Sequence, residues 1–469
     1  MGNSDERVIE KEVQYDGETE TLHSSDVAFE LLVKEEEGHD IKLRTMGWKK
    51  TALLLFGDQV CLAILAQAWS FSVLGWVGGM ITTLVSGAFF WLTSMTLWRF
   101  CMKHPEVRDI CDLAFVLFGR SRIAFEVTAF MLLANNILLI GFHILTLAKI
   151  FNTLSTHALC TTVFAVIAMI IGIVFSIPRT LNHVSTMGVV SAISMGIAIL
   201  LLMIFAGIET SPSQGYDGDY PIDGPVYTYA YPLAGTTWVG IVNGVLNITF
   251  LWIPQILFPS FIREMRRPQD FPKALAALAV GSFVLFVVPP IVGFYYLGQY
   301  SEAPSFASLQ PVYAKAVAGF VILPTIIIGT IYSNVTVKFI FRRVLAGSRH
   351  EHSNSAVGWG TWIGITIIVW VIAFIFAEVI PSMGDFLSLL GAAFDSQFGY
   401  LFWFGCHLSL YKGAYFKGPL RSINTILHII AGFIGLFLLG PGLYAAVEAI
   451  IADYGSSTRP AFSCANLSY

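Results

Sequence analysis

Charge is scarce in this chain. Of its 469 residues, 12% are Asp, Glu, Lys or Arg, against 55% hydrophobic and 14% aromatic, and the mean hydropathy is +0.70. Soluble domains carry about 25% charged residues, so a water-soluble enzyme of this length is excluded: it could not cover its surface. A basic excess is missing too. Lys and Arg number 27 against 31 Asp and Glu, a formal net charge of −4, which leaves no electrostatic footprint for a nucleic acid. The six cysteines (Cys61, Cys101, Cys111, Cys160, Cys406 and Cys464) show no CxxC or Cys/His spacing, so neither a zinc site nor a disulfide scaffold is expected. His143, His407 and His428 fall singly on separate apolar blocks, without HExxH spacing, and are expected to pack or hydrogen-bond alone. Neither a metal nor a cofactor is expected. There is no repeated filter or ring of charges to make a channel. No short apolar core with a cleavage site comes first, so the first span is expected to act as the insertion signal.

What is present is apolar length. From Trp48 onward, hydropathy comes in blocks of about 20 residues or more, each able to cross a roughly 30 Å hydrocarbon layer as a helix. The expected spans are 51–71, 74–98, 123–147, 158–177, 184–208, 237–262, 274–297, 315–337, 358–381, 384–410 and 423–451, with Gly75, Pro381 and Gly384 marking tight hairpin turns. The fold class is therefore an all-α polytopic membrane protein with eleven transmembrane helices. Residues 1–44 hold 13 of the 31 acids and are expected to be a disordered cytoplasmic tail; residues 45–451 form the membrane domain and 452–469 an extracytoplasmic tail.

Basic residues test this map. With the N-terminus inside, 24 of the 27 Lys and Arg fall on cytoplasmic segments, and Lys149, Lys315 and Arg459 remain outside. That asymmetry orients the chain with its N-terminus in the cytoplasm and its C-terminus outside. Cys160 and Cys464 are the two cysteines on the oxidising side and could pair. The loop 209–236, with Glu209, Asp217, Asp219 and Asp223 and no Lys or Arg, is a solvated loop that could attract cations.

Ionisable groups inside hydrocarbon are costly and therefore informative. Glu126, Glu378, Asp385 and Glu448 lie near helix ends, but Asp58 and Asp395 sit near the middles of spans 1 and 10. Either could carry a coupled proton; the alternative is a protonated acid bonded to Gln59 or Gln397. In span 6, Pro254 follows Phe250-Leu251-Trp252-Ile253 near mid-membrane, where it removes a backbone hydrogen bond and frees a carbonyl near Phe250. Such interrupted helices form midplane sites in many secondary carriers; a plain kink is the alternative. Phe250 and Trp252 would border a side-chain pocket, and Asn243 and Asn247, at i and i+4, would hydrogen-bond cargo or join helices.

Three polar strings carry a family resemblance. Thr45-Met46-Gly47-Trp48-Lys49-Lys50-Thr51-Ala52, His104-Pro105-Glu106-Val107-Arg108-Asp109-Ile110-Cys111-Asp112-Leu113 and Phe261-Ile262-Arg263-Glu264-Met265-Arg266-Arg267-Pro268-Gln269-Asp270-Phe271-Pro272 are similar to the opening and the loops after spans 2 and 6 of the amino acid/auxin permease family. Within it, the chain resembles fungal neutral amino-acid permeases of the methyltryptophan-resistance type over about 43–451. The resemblance implies a proton-driven amino-acid symporter of the plasma membrane, with spans 1–5 and 6–10 as inverted repeats and span 11 added at the edge. It also implies that unwound backbone at Cys61–Ala66, with amides of Leu62, Ala63 and Ile64, and at Phe250–Gln255 meets the cargo's carboxylate and amine. Thr330 and Ser333 of span 8 would lie where relatives hold a coupling ion, sodium being the alternative to a proton. Where the family reads Gly-x-Gly and then Pro in span 1, this chain has Cys61, Ala63 and Ala68, which tightens the pocket by at least a methyl group. With Asp395 in span 10, the alternative cargo is an amine-bearing or alkaloid-like metabolite. An alternative of another class is a receptor that binds amino acid without moving it.

Overall fold

The computed structural model describes residues 44, 46–178, 184–209, 220–221, 224–348, 350, 355–380, 382–456, 461–464 and 466. The tail before Arg44, the loop acids Asp217, Asp219 and Asp223, and Arg179, Pro381 and Arg459 lie outside the described residues.

Apolar runs long enough to cross a bilayer must satisfy their own backbone polar groups, and helices do so. In chain order they are α1 (Trp48–Gln59), α2 (Gln67–Lys103), α3 (Ile110–Leu117), α4 (Arg122–Ser155), α5 (Thr161–Ser176), α6 (Val184–Ile208), α7 (Trp238–Leu251) and α8 (Phe258–Glu264). They continue with α9 (Phe271–Leu297), α10 (Pro311–Val344), α11 (Ala356–Val379), α12 (Met383–Leu390), α13 (Phe402–Leu410), α14 (Pro419–Phe437) and α15 (Leu443–Ser456). Wide-turn π segments, Gly391–Leu401 and Leu438–Gly442, join α12 to α13 and α14 to α15. Short polar side chains cap the helices: Asp109 accepts from the amides of Cys111 and Asp112 at α3, and Thr237 from Gly240 at α7.

Among the described residues, seven helical stretches are long and apolar enough to cross a membrane, and Thr161–Ser176 and Trp238–Leu251 are shorter apolar helices. One of the seven, Leu62–Lys103, takes in the latter part of the first expected span and all of the second. Its halves are parted by Gly75, at φ 69° and ψ 174°. The Phe71 ring lies against Gly79, although eight residues of straight helix would separate their backbones by about 12 Å. The chain therefore turns back here. A Cβ at position 75 would also come within 2.7 Å of the Ala230 carbonyl, and the loop there caps the returning helix through Trp76 N to Tyr229 O (3.0 Å) and Val77 N to Ala230 O (2.9 Å).

Large apolar side chains face outward, among them Ile123 (77% exposed), Phe130 (72%) and Phe433 (69%), as lipid contact requires. Inside, α2 packs on α7 and α9, and α4 packs on α10 and α11. Cys160 and Cys464 form a disulfide, which ties the start of α5 to the segment after α15. At the opposite end Met46 bonds the backbone on both sides of Met265, joining the entry to α1 with the exit from α8. Two of the acids near helix ends have partners: Glu126 takes both guanidinium nitrogens of Arg343 at 2.8 Å, and Glu378 accepts from Thr162 at 3.0 Å. One expectation is corrected. His407 and His428 do not stand apart but stack, ring centroids 4.1 Å apart, because α13 and α14 lie side by side; their Nε2 atoms reach Thr425 (3.0 Å) and Thr96 (2.8 Å).

Candidate functional site

Two helices come apart at the same depth. After α1, Val60 (φ −78°, ψ 74°) and Cys61 (φ −119°, ψ 169°) leave helical geometry, and a 3₁₀ turn, Leu62–Ala66, leads into α2. After α7, Ile253 (φ −126°, ψ 57°) breaks the helix and Pro254 opens the turn Pro254–Ile256 before α8. The second break follows from proline, which cannot donate and drives the residue before it out of the α region. The first has no glycine or proline. It is held instead by Gln67, whose Nε2 donates to the Ala63 carbonyl (3.0 Å) and across to the Asn247 carbonyl (3.1 Å). Gln67 thus ties the two interrupted helices together beside their breaks.

A cavity of ≈ 150 Å³ opens against both breaks. Of the residues expected from sequence, Asp58, Leu62, Ala63, Phe250, Pro254 and Asp395 line it. It gains Asn135, Asn136 and His143 from α4 and Tyr332 from α10, which sequence reasoning missed as a wall; Asn135-Asn136 in an apolar helix was the available signal. Asp395 sits in the π segment, 7% exposed, with its Oδ2 unpartnered. Insertions of this kind re-aim side chains and recur at functional sites.

Six expected residues are not brought to this cavity. The Ile64 amide bonds the Cys61 carbonyl at 3.3 Å. Asn247 Nδ2 donates to Asn243 O (3.0 Å), Gly384 O (3.2 Å) and Ser388 Oγ (2.8 Å), joining α7 to α12. Trp252 packs between Phe90 and Phe286, against Gly87, and Gln255 Nε2 donates to Thr93 Oγ1 (3.2 Å). Thr330 Oγ1 donates to Ile326 O (2.8 Å), and Ser333 Oγ accepts from Trp370 Nε1 (2.9 Å). Thr330 thus bonds back onto its own helix, and Ser333 joins α10 to α11. On the far side of the Gln67–Asn247–Ser388 network lies a second, larger cavity at the disulfide end, of ≈ 630 Å³.

Paired midplane breaks around a small cavity are the geometry of a carrier, and comparison with known proteins agrees. Residues 44–448 match the family described as "Transmembrane amino acid transporter protein". The chain is 27% identical over 436 residues to the "N amino acid transport system protein" of Neurospora crassa, covering 92% of this chain and 91% of that one. It is 28% identical over 447 residues to a "Transmembrane transporter" of Gibberella moniliformis, covering 92% and 90%. The fold is similar to that of a nucleobase-cation-symport-1 family transporter solved in a closed conformation with bromovinylhydantoin bound, with a TM-score of 0.50 at 15% identity over 90% of this chain and 95% of that one. The family and these relatives are transporters, not enzymes, and the chain is a multi-pass membrane protein that belongs to the transmembrane amino acid transporter family.

Proposed function

We propose that the protein is a proton-coupled importer of neutral amino acids, with the cargo held where the two broken helices meet. The observation that carries this reading is the cavity at both breaks with Asp58 in its wall. The amides of Leu62 and Ala63 take the cargo's carboxylate, carbonyls beside Phe250 and Pro254 take its ammonium group, and Phe250 borders its side chain. Asp58 carries the coupling proton. Ser333 Oγ accepts from Trp370 Nε1, which occupies a lone pair that a sodium ion would need and supports a proton over sodium. The cavity is smaller than the roughly 300 Å³ at which drug-sized sites begin, which suits a compact solute.

The spans number eleven, arranged as two inverted five-helix repeats plus one, with the N-terminus in the cytoplasm of a plasma-membrane protein. Supporting this are the 24-to-3 division of basic residues, the breaks in corresponding first helices of the two halves, and a disulfide at the end assigned to the outside. The cavity walls come from the end of α1, the end of α7 with the turn that follows it, the π segment and the facing parts of α4 and α10, while the Gln67–Asn247–Ser388 network lies between the cavity and the disulfide end. This conformation faces the cytoplasm.

A specific observation favours a second cargo. Among the described residues that line the cavity, Asp58 and Asp395 are acidic and none is Lys or Arg. A protonated amine, such as an alkaloid-like metabolite, would pair with Asp395. Uptake of radiolabelled amino acids and amines by permease-deficient cells, with and without a protonophore, tests both. Protonophore-sensitive uptake of neutral amino acids is expected. Amine uptake lost in Asp395→Asn, with no competition from neutral amino acids, would replace the first reading with the second, and binding without flux would replace both with a receptor.

A further inference from the structure

The larger cavity differs from the midplane one in carrying both signs of charge. Its walls include Lys149 at the end of α4, Glu302 after α9, Asp385 on α12 and Asp453 on α15, with Trp69 of α2 and Asn243 of α7 beside them. Its ≈ 630 Å³ is ample for an amino acid. Asp385 has a local structural role, since it and Ser382 cap α12, with Ser382 Oγ to Asp385 Oδ2 at 2.7 Å and Asp385 N to Ser382 Oγ at 3.0 Å. The acids alone therefore do not make a site.

Asn243 supplies the independent observation. It is 4% exposed, its Nδ2 donates to Ala445 O at 3.3 Å, and its Oδ1 has no partner. A buried acceptor left unpaired is unfavourable, and an ammonium group in the cavity, whose wall includes Asn243, would satisfy it. Asn243 also adjoins the network that closes the path inward: its own carbonyl accepts from Asn247 Nδ2, which in turn holds Gly384 O and Ser388 Oγ, both residues of the cavity wall.

We propose that this cavity is an entry site for α-amino-acid zwitterions, with Asn243 Oδ1 and the carboxylate of Asp453 receiving the ammonium group and Lys149 the carboxylate. The assignment of amino acid as ligand rests on the carrier reading; the charge selectivity of the cavity does not. A ligand seated there touches Asn243 and Ser388, so its arrival acts directly on the bonds that separate the two cavities.

The test uses the full-length protein in nanodiscs, with Val239→Cys as a reporter in the cavity wall on a Cys61→Ser background. Labelling rates are compared for two thiosulfonate reagents of similar size, one bearing a quaternary ammonium and one a sulfonate. With a net acidic wall, the ammonium reagent is expected to react about tenfold faster. Asp453→Asn should shrink that ratio, and Glu302→Gln should do so independently if one variant folds poorly. Excess L-alanine should slow labelling more than n-butylamine does, and acetate should not slow it. Equal rates for the two reagents would overturn the site. Protection by n-butylamine and none by L-alanine would overturn its assignment to zwitterions. Because labelling needs no flux, a protein that carries nothing still shows the charge preference, and a carrier without this site does not.

Discussion

The contact that keeps the two cavities apart can be broken without touching the midplane site. Asn247 holds α7 to α12 through two bonds from one nitrogen, to Gly384 O at 3.2 Å and Ser388 Oγ at 2.8 Å, and it is fully buried. Leucine is close to asparagine in size and donates nothing. In Asn247→Leu, Ser388 Oγ can turn back to the Gly384 carbonyl four residues before it, so neither group is stranded. The loss is then two hydrogen bonds at about 1 kcal/mol each. If they exist only while the path from the disulfide end is shut, about 2 kcal/mol shifts the balance toward the open form roughly 30-fold. Ser388→Ala removes one bond and should give about fivefold. A native reporter is in place, because Cys61 lines the midplane cavity and is the one free cysteine, among those described, that is not buried. In inside-out and right-side-out vesicles, a membrane-impermeant thiol reagent should label wild-type Cys61 from the cytoplasmic face only. Asn247→Leu should raise labelling from the outer face by more than tenfold. An outer rate that stays at the wild-type value, in a protein that still purifies as a single folded species, would refute the assignment of this contact as the outer closure.

Other expectations follow from single contacts. Asp58→Asn should abolish uptake driven by a pH gradient while leaving membrane insertion intact; unchanged coupling would remove Asp58 from the proton path. Trp370 lies directly over Gly172, where an added Cβ would fall 2.0 Å from its ring, and its Nε1 bonds both Ser176 and Ser333. Gly172→Val should therefore cost about 2 kcal/mol or more and lower the thermal midpoint in detergent; an unchanged midpoint would show that Trp370 moves aside freely. Denatured without reductant, the protein should take up four alkyl groups by mass rather than six, because Cys160 and Cys464 are bonded. Six would mean the disulfide is absent.

Much of the architecture was legible because membrane helices advertise themselves by apolar length, and because Gly75 and Pro254 stand where the chain turns or breaks. The break before Leu62 was not signalled in that way. Its cause is a side chain, Gln67, whose amide replaces the missing backbone partners, and a glutamine in an apolar run does not announce which carbonyls it will reach. Depth was easier to read than direction. Asn247, Trp252, Gln255 and Ser333 belong to the segments that frame the site, yet each points into a neighbouring helix, and Thr330 bonds back onto its own. Helices buried on several sides lack the single apolar stripe from which facing could be inferred. Asp395 reaches the cavity from a π segment, whose extra residue per turn shifts every side chain after it. The His407–His428 stack joins residues 21 apart on two spans, and nothing in their local spacing marks it.

The most direct test of the account is accumulation of radiolabelled neutral amino acids in proteoliposomes under an imposed pH gradient, comparing wild type with Ala63→Leu. Leucine at position 63 puts three carbons into the wall of a ≈ 150 Å³ cavity at the break of the first span. Wild type should concentrate the amino acid until a protonophore is added, and Ala63→Leu should lose that uptake while retaining wild-type thermal stability. Undiminished accumulation by the variant would mean that the cargo does not pass between the two broken helices.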